Sequence, residues 1–358
     1  MKLVVLCPYP RDRAPSQRLK YEQYFGSWEE AGFQVEVRSF WDEAAWNILY
    51  REGGMARKGA AFLRGLSRRP GDLNAALEAD LVYLHLEAVP LGPPVLERRI
   101  HRAGVPMVYD MDDLIHLPHS SPANPFMRFL RAPGKAPELM AMARHTIVCT
   151  EYLADFARPH AKGVTNISST IDTDVYRPRP HRDRTEGVVL GWSGSHSTAP
   201  YLNLLADVLR ELQATDGVRI KVIGDASASL PGVDVQAQAW RRNSEVADLS
   251  ELDIGLYPLP EEEWVRGKSG LKALQYMALE IPTVAQNIGT NPEIIRHGVN
   301  GFLASEEEEW LTILRRLIRD PDLRRTVGGE GRKTVEARYS VRANAPVYLD
   351  ILHSALES

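Results

Sequence analysis

Short unbroken apolar runs recur along this chain, each followed by a polar turn and then by a stretch of helical periodicity. KLVVLCPY opens the first half; FQVEVRSF (33–40), which alternates, reads as the next strand, and DLVYLHL (80–86), PMVYDMD (106–112) and TIVCT (146–150) follow. A run that is apolar at every position suits a strand covered on both faces, as in a parallel sheet flanked by helices. The rhythm restarts at GVVLGWSG (187–194) and continues through VRIKVIGD (218–225), VDVQAQ, DIGLYPL and IPTVAQ. Two successive sets of this kind predict an α/β chain of two facing Rossmann-like domains, with ligands taken in a cleft at the carboxyl edges of the sheets.

Length supports two domains, because 358 residues exceed the size at which one core stops growing. The stretch DTDVYRPRPHRDRTE (172–186) is polar, charged and proline-bearing, and is the predicted boundary. The first domain then covers 1–178 and the second 186–339, and a last helix at about 340–358 is expected to return to the first domain. Near the start, Tyr21, Tyr24, Phe25 and Trp28 fall at i, i+3, i+4 and i+7. That spacing predicts one helix with Ser16 as its cap and Gly32 as its terminator.

Composition excludes several classes. Apolar residues at 44% and charged residues at 25% are those of an ordinary globular protein. A net charge of -4 is not that of a chain built to coat nucleic acid, so no nucleic-acid partner is expected. Cys7 and Cys149 stand far apart without metal-ligand spacing and read as buried strand residues of a reducing compartment. The apolar run before Pro8 is too short for a signal core or a membrane span, which points to a cytoplasmic location. RKGAAFLRGLSRR (57–69) mixes basic and apolar residues; its glycines predict a weak, solvated helix, and its one functional option is peripheral contact with an anionic membrane or a lipid-linked acceptor. SEEEEW (305–310) predicts a capping box of Ser305 and Glu308.

The strongest chemical signal is RGKSGLKALQYMA (266–278). With Ser269 as cap and the helix running from Gly270 to about Leu279, Arg266, Lys268 and Lys272 gather at its positive end, where Lys268 and Lys272 share a face if the helix begins early. Cations there oppose the helix dipole unless an anion lies among them, and a nucleotide diphosphate is such an anion. GWSGSHSTAP (191–200) follows the first strand of the second half, and Gly191, Gly194 and Ser195 permit a turn whose amides approach phosphate oxygens. It lacks the GxGxxG spacing, so a dinucleotide cofactor is not expected. In the first half, YDMDDLIH ends a strand with Asp110, Asp112 and Asp113, followed by His116 and His119. Carboxylates at a strand end suit sugar-hydroxyl binding, general-base work or a metal. His85, also at a strand end, reads as structural.

From Gly187 to Ser340 the chain resembles retaining glycosyltransferases of the GT-B type, family 4 and its relatives. The likeness lies in LGWSGSHSTAPYL, VKVIGD, LDIGLYPL, GLKALQYMALEIPTVAQNIGTNPEIIRHGVNGFL and RKTVEARYS, and more faintly in CTEYLADF and IDTDVYRP. This resemblance implies a nucleotide-sugar donor, a UDP- or GDP-sugar, held by the second domain. It also implies an acceptor held by the first domain, retention of configuration, and no metal or other cofactor.

Residue by residue, the resemblance places Gly194 and Ser195 near the diphosphate, with Arg266, Lys268 and Lys272 as its cations. Asp225 falls near the base, and Gln275 takes the place of the second glutamate of the E-x7-E motif, which holds the ribose. The first glutamate of that motif is replaced by Gly267. GTNPEII (289–295) matches the donor turn, with Thr290, Asn291 and Glu293 toward the nucleotide sugar. Asp112 or Asp113 stands where the family has a histidine on the donor sugar, and the two are the candidate catalytic carboxylates. Ser16 and Arg18 fall in the acceptor-side loop. The expected activity is sugar transfer to a hydroxyl of a glycan, lipid-linked or small-molecule acceptor. The alternatives are an epimerase or phosphorylase on the same fold, or a sugar-nucleotide-binding module without catalysis.

Overall fold

The structure is a computed structural model that describes residues 1–49, 53–112, 114, 132, 134–179, 187–195 and 198–357. The chain divides into two compact units, Met1–Ser169 with Asn344–Ser358, and Thr170–Ala343. Each is built on a six-stranded sheet in which every pairing is parallel.

In the first unit the strands are β1 (Lys2–Cys7), β2 (Gln34–Ser39), β3 (Leu81–His85), β4 (Met107–Met111), β5 (His145–Val148) and β6 (Val164–Asn166), in the order β2-β1-β3-β4-β5-β6. The second unit holds β7 (Val189–Ser193), β8 (Arg219–Gly224), β9 (Val235–Ala239), β10 (Ile254–Tyr257), β11 (Thr283–Gln286) and β12 (Phe302–Ala304), in the order β12-β11-β10-β7-β8-β9. The central strands β3, β4, β7 and β10 are buried at every position, as their unbroken apolar runs require. Cys7 and Cys149 are both buried thiols. β6 and β12 escape sequence reading because three residues carry no periodicity.

The aromatic face at 21–28 forms without the single helix expected for it. Pro15–Arg18 is one short turn, begun by Pro15 with no side-chain cap from Ser16, Glu22–Tyr24 is a 3-10 turn, and only Phe25–Glu30 is α-helical. Leaving helical geometry at Leu19 lets Lys20 turn inward to a carboxylate while Tyr21, Tyr24, Phe25 and Trp28 all remain buried. The last helix, Val341–Glu357, completes this core: Tyr348 packs 4.5 Å from Tyr24 and 5.8 Å from Trp28, ring to ring.

Residues 57–69 belong to a 23-residue helix, Met55–Leu77, not to a weak solvated one. Its buried stripe runs through Lys58, Ala61, Gly65, Arg69, Asp72 and Ala76. Gly65 is required there, since a β-carbon would lie 2.7 Å from the Phe40 ring. Tertiary packing of one face outweighs the low propensity of the glycines. The capping box at 305–310 is shifted by one residue, to Glu306 and Glu309, because the helix starts at Glu307. Among the described residues no helix is long and apolar enough to cross a membrane.

Candidate functional site

The second sheet reverses direction between β7 and β10: the chain steps outward through β8 and β9, then returns to the other side of β7. Such a reversal leaves a crevice at the carboxyl ends of the two central strands. The turn after β7 carries Gly194 and Ser195, and the segment after β10 carries Arg266 and Lys268.

Three glycines allow close packing around this point. A β-carbon on Gly194 would sit 2.3 Å from the Trp192 ring and 2.8 Å from Lys272 Cε. Gly224, at φ +138°, lies so close to the Gly194 carbonyl that no side chain fits, and the Gly194 amide donates to the Ile223 carbonyl at 2.9 Å. Gly255 leaves room for the Tyr276 ring to cross β10. The Tyr276 hydroxyl then accepts from the Ser193 amide at 2.7 Å and reaches Ser193 Oγ at 3.3 Å. The end of β7 is thereby tied to the helix Leu271–Ala278.

That helix begins one residue later than expected. Gly270, in the left-handed region at φ +69°, is its N-cap, and Ser269 makes no cap. Lys268 precedes it in extended backbone, so Lys268 and Lys272 do not share a helix face. Lys272 is partly buried, its ammonium 5.5 Å from the Trp192 ring centre and 5.6 Å from that of Tyr257. Among the described residues no carboxylate pairs with it. Burial, and then the charge of Lys268, push its pKa down to about 7. Lys268 lies 4.0 Å over the Trp264 ring. Two cations that repel one another, one of them short of water, form a site that an anion would relieve.

Arg266 is exposed and lines a cavity with Glu261, Glu262, Glu263 and Ile288. Gly289, at φ +60°, brings the 289–293 turn against the backbone of Val265 and Arg266. Behind it Thr290 is buried, with no hydrogen-bond partner for its Oγ1 among the described residues. Asn291 is pinned through Nδ2 to the Gln286 carbonyl at 2.9 Å, and Glu293 is exposed. The structure therefore brings Gly194 to Lys272, and Arg266 to the 289–293 turn.

Asp225 directly follows Gly224, and its carboxylate accepts from the Ser227 amide and hydroxyl at 2.9 and 2.6 Å. Gln275 is buried, its amide donating to the Tyr176 hydroxyl at 2.8 Å and to Glu245 at 3.1 Å. Glu245 also accepts from the Trp240 indole at 3.0 Å. Gly267 is buried at the end of the 3-10 turn Glu263–Gly267.

In the first unit, Ser16 and Arg18 are partly buried on the short turn after β1. Asp112 follows β4, its side chain 10% exposed, and Asp113 lies outside the described residues, as do His116 and His119. Sequence reading overlooked Trp192, Tyr257 and Tyr276 as parts of this site. Their only signal was position, since Trp192 precedes the Gly194 turn and Tyr276 stands four residues after Lys272.

Residues 187–320, which hold the site of the second unit, match the family described as "Glycosyl transferases group 1". The chain is 35% identical over 108 residues to "Putative glycosyltransferase EpsD" of Bacillus subtilis (strain 168), a stretch that is 28% of each chain. It is 29% identical over 79 residues to "Glycosyltransferase 1 domain-containing protein 1" of Xenopus tropicalis, covering 22% of this chain and 23% of that one. The matches thus span about a quarter of these curated relatives. Among solved structures, Anabaena Alr3699/HepE in complex with UDP and glucose superposes with a TM-score of 0.71 at 19% identity, over 99% of this chain and 100% of the other. Residues 187–320 thus match the model of glycosyl transferases group 1, in a chain whose fold is the two-domain, Rossmann-like fold of GT-B glycosyltransferases.

Proposed function

We propose that this protein is a glycosyltransferase that takes a sugar from a nucleoside-diphosphate sugar, with retention of configuration and without a metal, and delivers it to a hydroxyl of a glycan, lipid-linked or small-molecule acceptor. The observation that carries the reading is Lys272. Its ammonium is drawn from water beside a glycine turn, at the switch point of the second sheet, with no carboxylate partner among the described residues. A donor diphosphate supplies the missing negative charge at the Gly194–Ser195 turn, where the Gly194 amide is already engaged by the Ile223 carbonyl.

In this reading Lys272, Lys268 and Arg266 stabilise the charge that builds on the departing diphosphate. Thr290, Asn291 and Glu293 face the nucleotide sugar, Asp225 the base and Gln275 the ribose. Glu261, Glu262 and Glu263 line the Arg266 cavity and offer the carboxylate that Gly267 lacks. Asp112 and Asp113 serve the sugar hydroxyls, and Ser16 and Arg18 the acceptor. A UDP-sugar is favoured as donor because HepE, of similar fold, was crystallised with UDP. The helix Met55–Leu77 exposes Met55, Leu63 and Leu66 beside Arg57, Arg64 and Arg68, which suits peripheral contact with an anionic membrane.

The experiment is a panel of UDP-, GDP- and ADP-sugars, read as thermal shift and as nucleotide release with chelator present, followed by NMR assignment of the product anomer. Shift and turnover with one nucleotide, undiminished by chelator and giving the donor's anomer, are expected. No shift and no release with any nucleotide would refute the reading. Release that stops with chelator would refute metal independence, and an inverted anomer would refute retention.

A further inference from the structure

His85 closes β3 at the point where the first sheet reverses, between β1 and β3, and it is fully buried. It stands directly opposite Asp110 in the β3–β4 register. Its Nδ1 lies 3.4 Å from Asp110 Oδ2, and its Nε2 lies 3.6 Å from Asp112 Oδ1. Asp110 and Asp112 are two apart along an extended segment and so point to the same side. The imidazole is bracketed by two carboxylates at 3.4 and 3.6 Å, and among the described residues neither ring nitrogen makes a hydrogen bond of good geometry.

Asp110 has stronger partners than this histidine. Its Oδ1 lies 2.5 Å from the Lys20 ammonium and its Oδ2 accepts from the Tyr83 hydroxyl at 2.6 Å, with all three side chains buried. Burial acts to raise the Asp110 carboxyl, but Lys20 and then His85 outweigh it and hold the group below the usual range. Burial acts to lower Lys20, and Asp110 outweighs that in turn. Lys20, Tyr83 and Asp110 therefore form a closed set that serves as a fixed wall behind the imidazole. Tyr21 holds the ring from the side, its centroid 4.9 Å away.

A buried imidazole whose two nitrogens, among the described residues, face only these carboxylates at long distance carries a desolvation cost that a purely structural residue would avoid. Of the side chains it bridges, Asp112 is the one that retains some exposure, at the carboxyl edge where such sheets take ligands.

We infer that His85 is a positioning residue for Asp112: standing between Asp110 and Asp112, with Nε2 facing the Asp112 carboxylate, it limits the orientations that group can take toward a sugar hydroxyl. This rests on the proposed function in so far as Asp112 serves a sugar.

Two measurements test it. The first needs no turnover: 15N resonances of the His85 ring are compared between wild type and Asp112→Asn. A shift of Nε2 larger than that of Nδ1 is expected, and an unmoved Nε2 overturns the inference. The second is kinetic, with the donor found active in the nucleotide panel. His85→Phe should lower kcat at least tenfold while the donor KM stays within twofold, and His85→Gln, which keeps a polar N–H, should recover part of the loss. Combining His85→Phe with Asp112→Asn should add little to the larger single loss. Unchanged kcat, or losses that multiply, overturn the inference. Should wild type show no transfer, the proposed function fails while the spectroscopic arm still decides the His85–Asp112 coupling. That arm also decides if His85→Phe does not fold.

Discussion

Lys272 Cε passes so close to Gly194 that a β-carbon on the glycine would lie 2.8 Å from it. Turn and lysine are therefore fitted to one another, and a methyl group at 194 has to displace both Lys272 and the Trp192 ring, which is itself buried. Gly194→Ala should weaken nucleotide binding about tenfold, ~1.4 kcal/mol, without loss of the fold. Calorimetric titration against UDP in both proteins checks this, and an unchanged Kd contradicts the close fit.

Lys272 links binding to pH. Its folded pKa of about 7 lies below the ordinary lysine value, so the native state holds fewer protons than the unfolded chain at pH values between the two. Stability attributable to this group accordingly rises with pH across that window, and the full penalty is present below about 7. Lys272→Met should raise the Tm most at pH 6 and hardly at all near pH 10, while abolishing the thermal shift by nucleotide. In wild type, nucleotide affinity should fall as pH rises above about 7, with proton uptake on binding measurable in buffers of different ionisation enthalpy. A pH-independent Tm difference would contradict the assignment.

Tyr276→Phe removes the acceptor that satisfies the buried Ser193 amide at 2.7 Å. Leaving that donor unpaired should cost about 1–3 kcal/mol in denaturant titration. Because the same bond fixes the end of β7, the donor KM should rise as well. A stability loss with unchanged KM would place Tyr276 outside the donor site.

Arg332 ties three backbone carbonyls of the second unit together, donating to Tyr176, to Ala278 at 2.5 Å and to Thr173 at 3.0 Å. The segment at 173–176 begins the polar stretch 172–186, and Arg332 fixes two of its carbonyls. Arg332→Met should lower stability by about 2–4 kcal/mol and expose 173–179 to proteolysis before the rest of the second unit. Cleavage beginning elsewhere would show that the segment is held by other means.

Sequence pattern was enough for the central strands of the two sheets: each is a mostly apolar run, and burial on both faces leaves such a run no other place. The cationic cluster at 266–272 was legible for a similar reason, since three like charges beside an apolar helix stand out in any window. What could not be read were relations across the sheets. Tyr276 and Ser193 are 83 residues apart, and Lys20 and Asp110 belong to different elements, so no local pattern joins them.

The chain's own sequence determined its fold class and the chemistry concentrated at Lys272, because strand burial and charge crowding are properties of short segments. Tertiary structure alone decided three things. It withdrew Lys272 from water against Trp192 and Tyr257, it engaged the Gln275 amide with Tyr176 and Glu245, and it turned His85 from an ordinary strand residue into a group held between two carboxylates. Each depends on which strands are neighbours, and strand order is settled by packing of the whole unit.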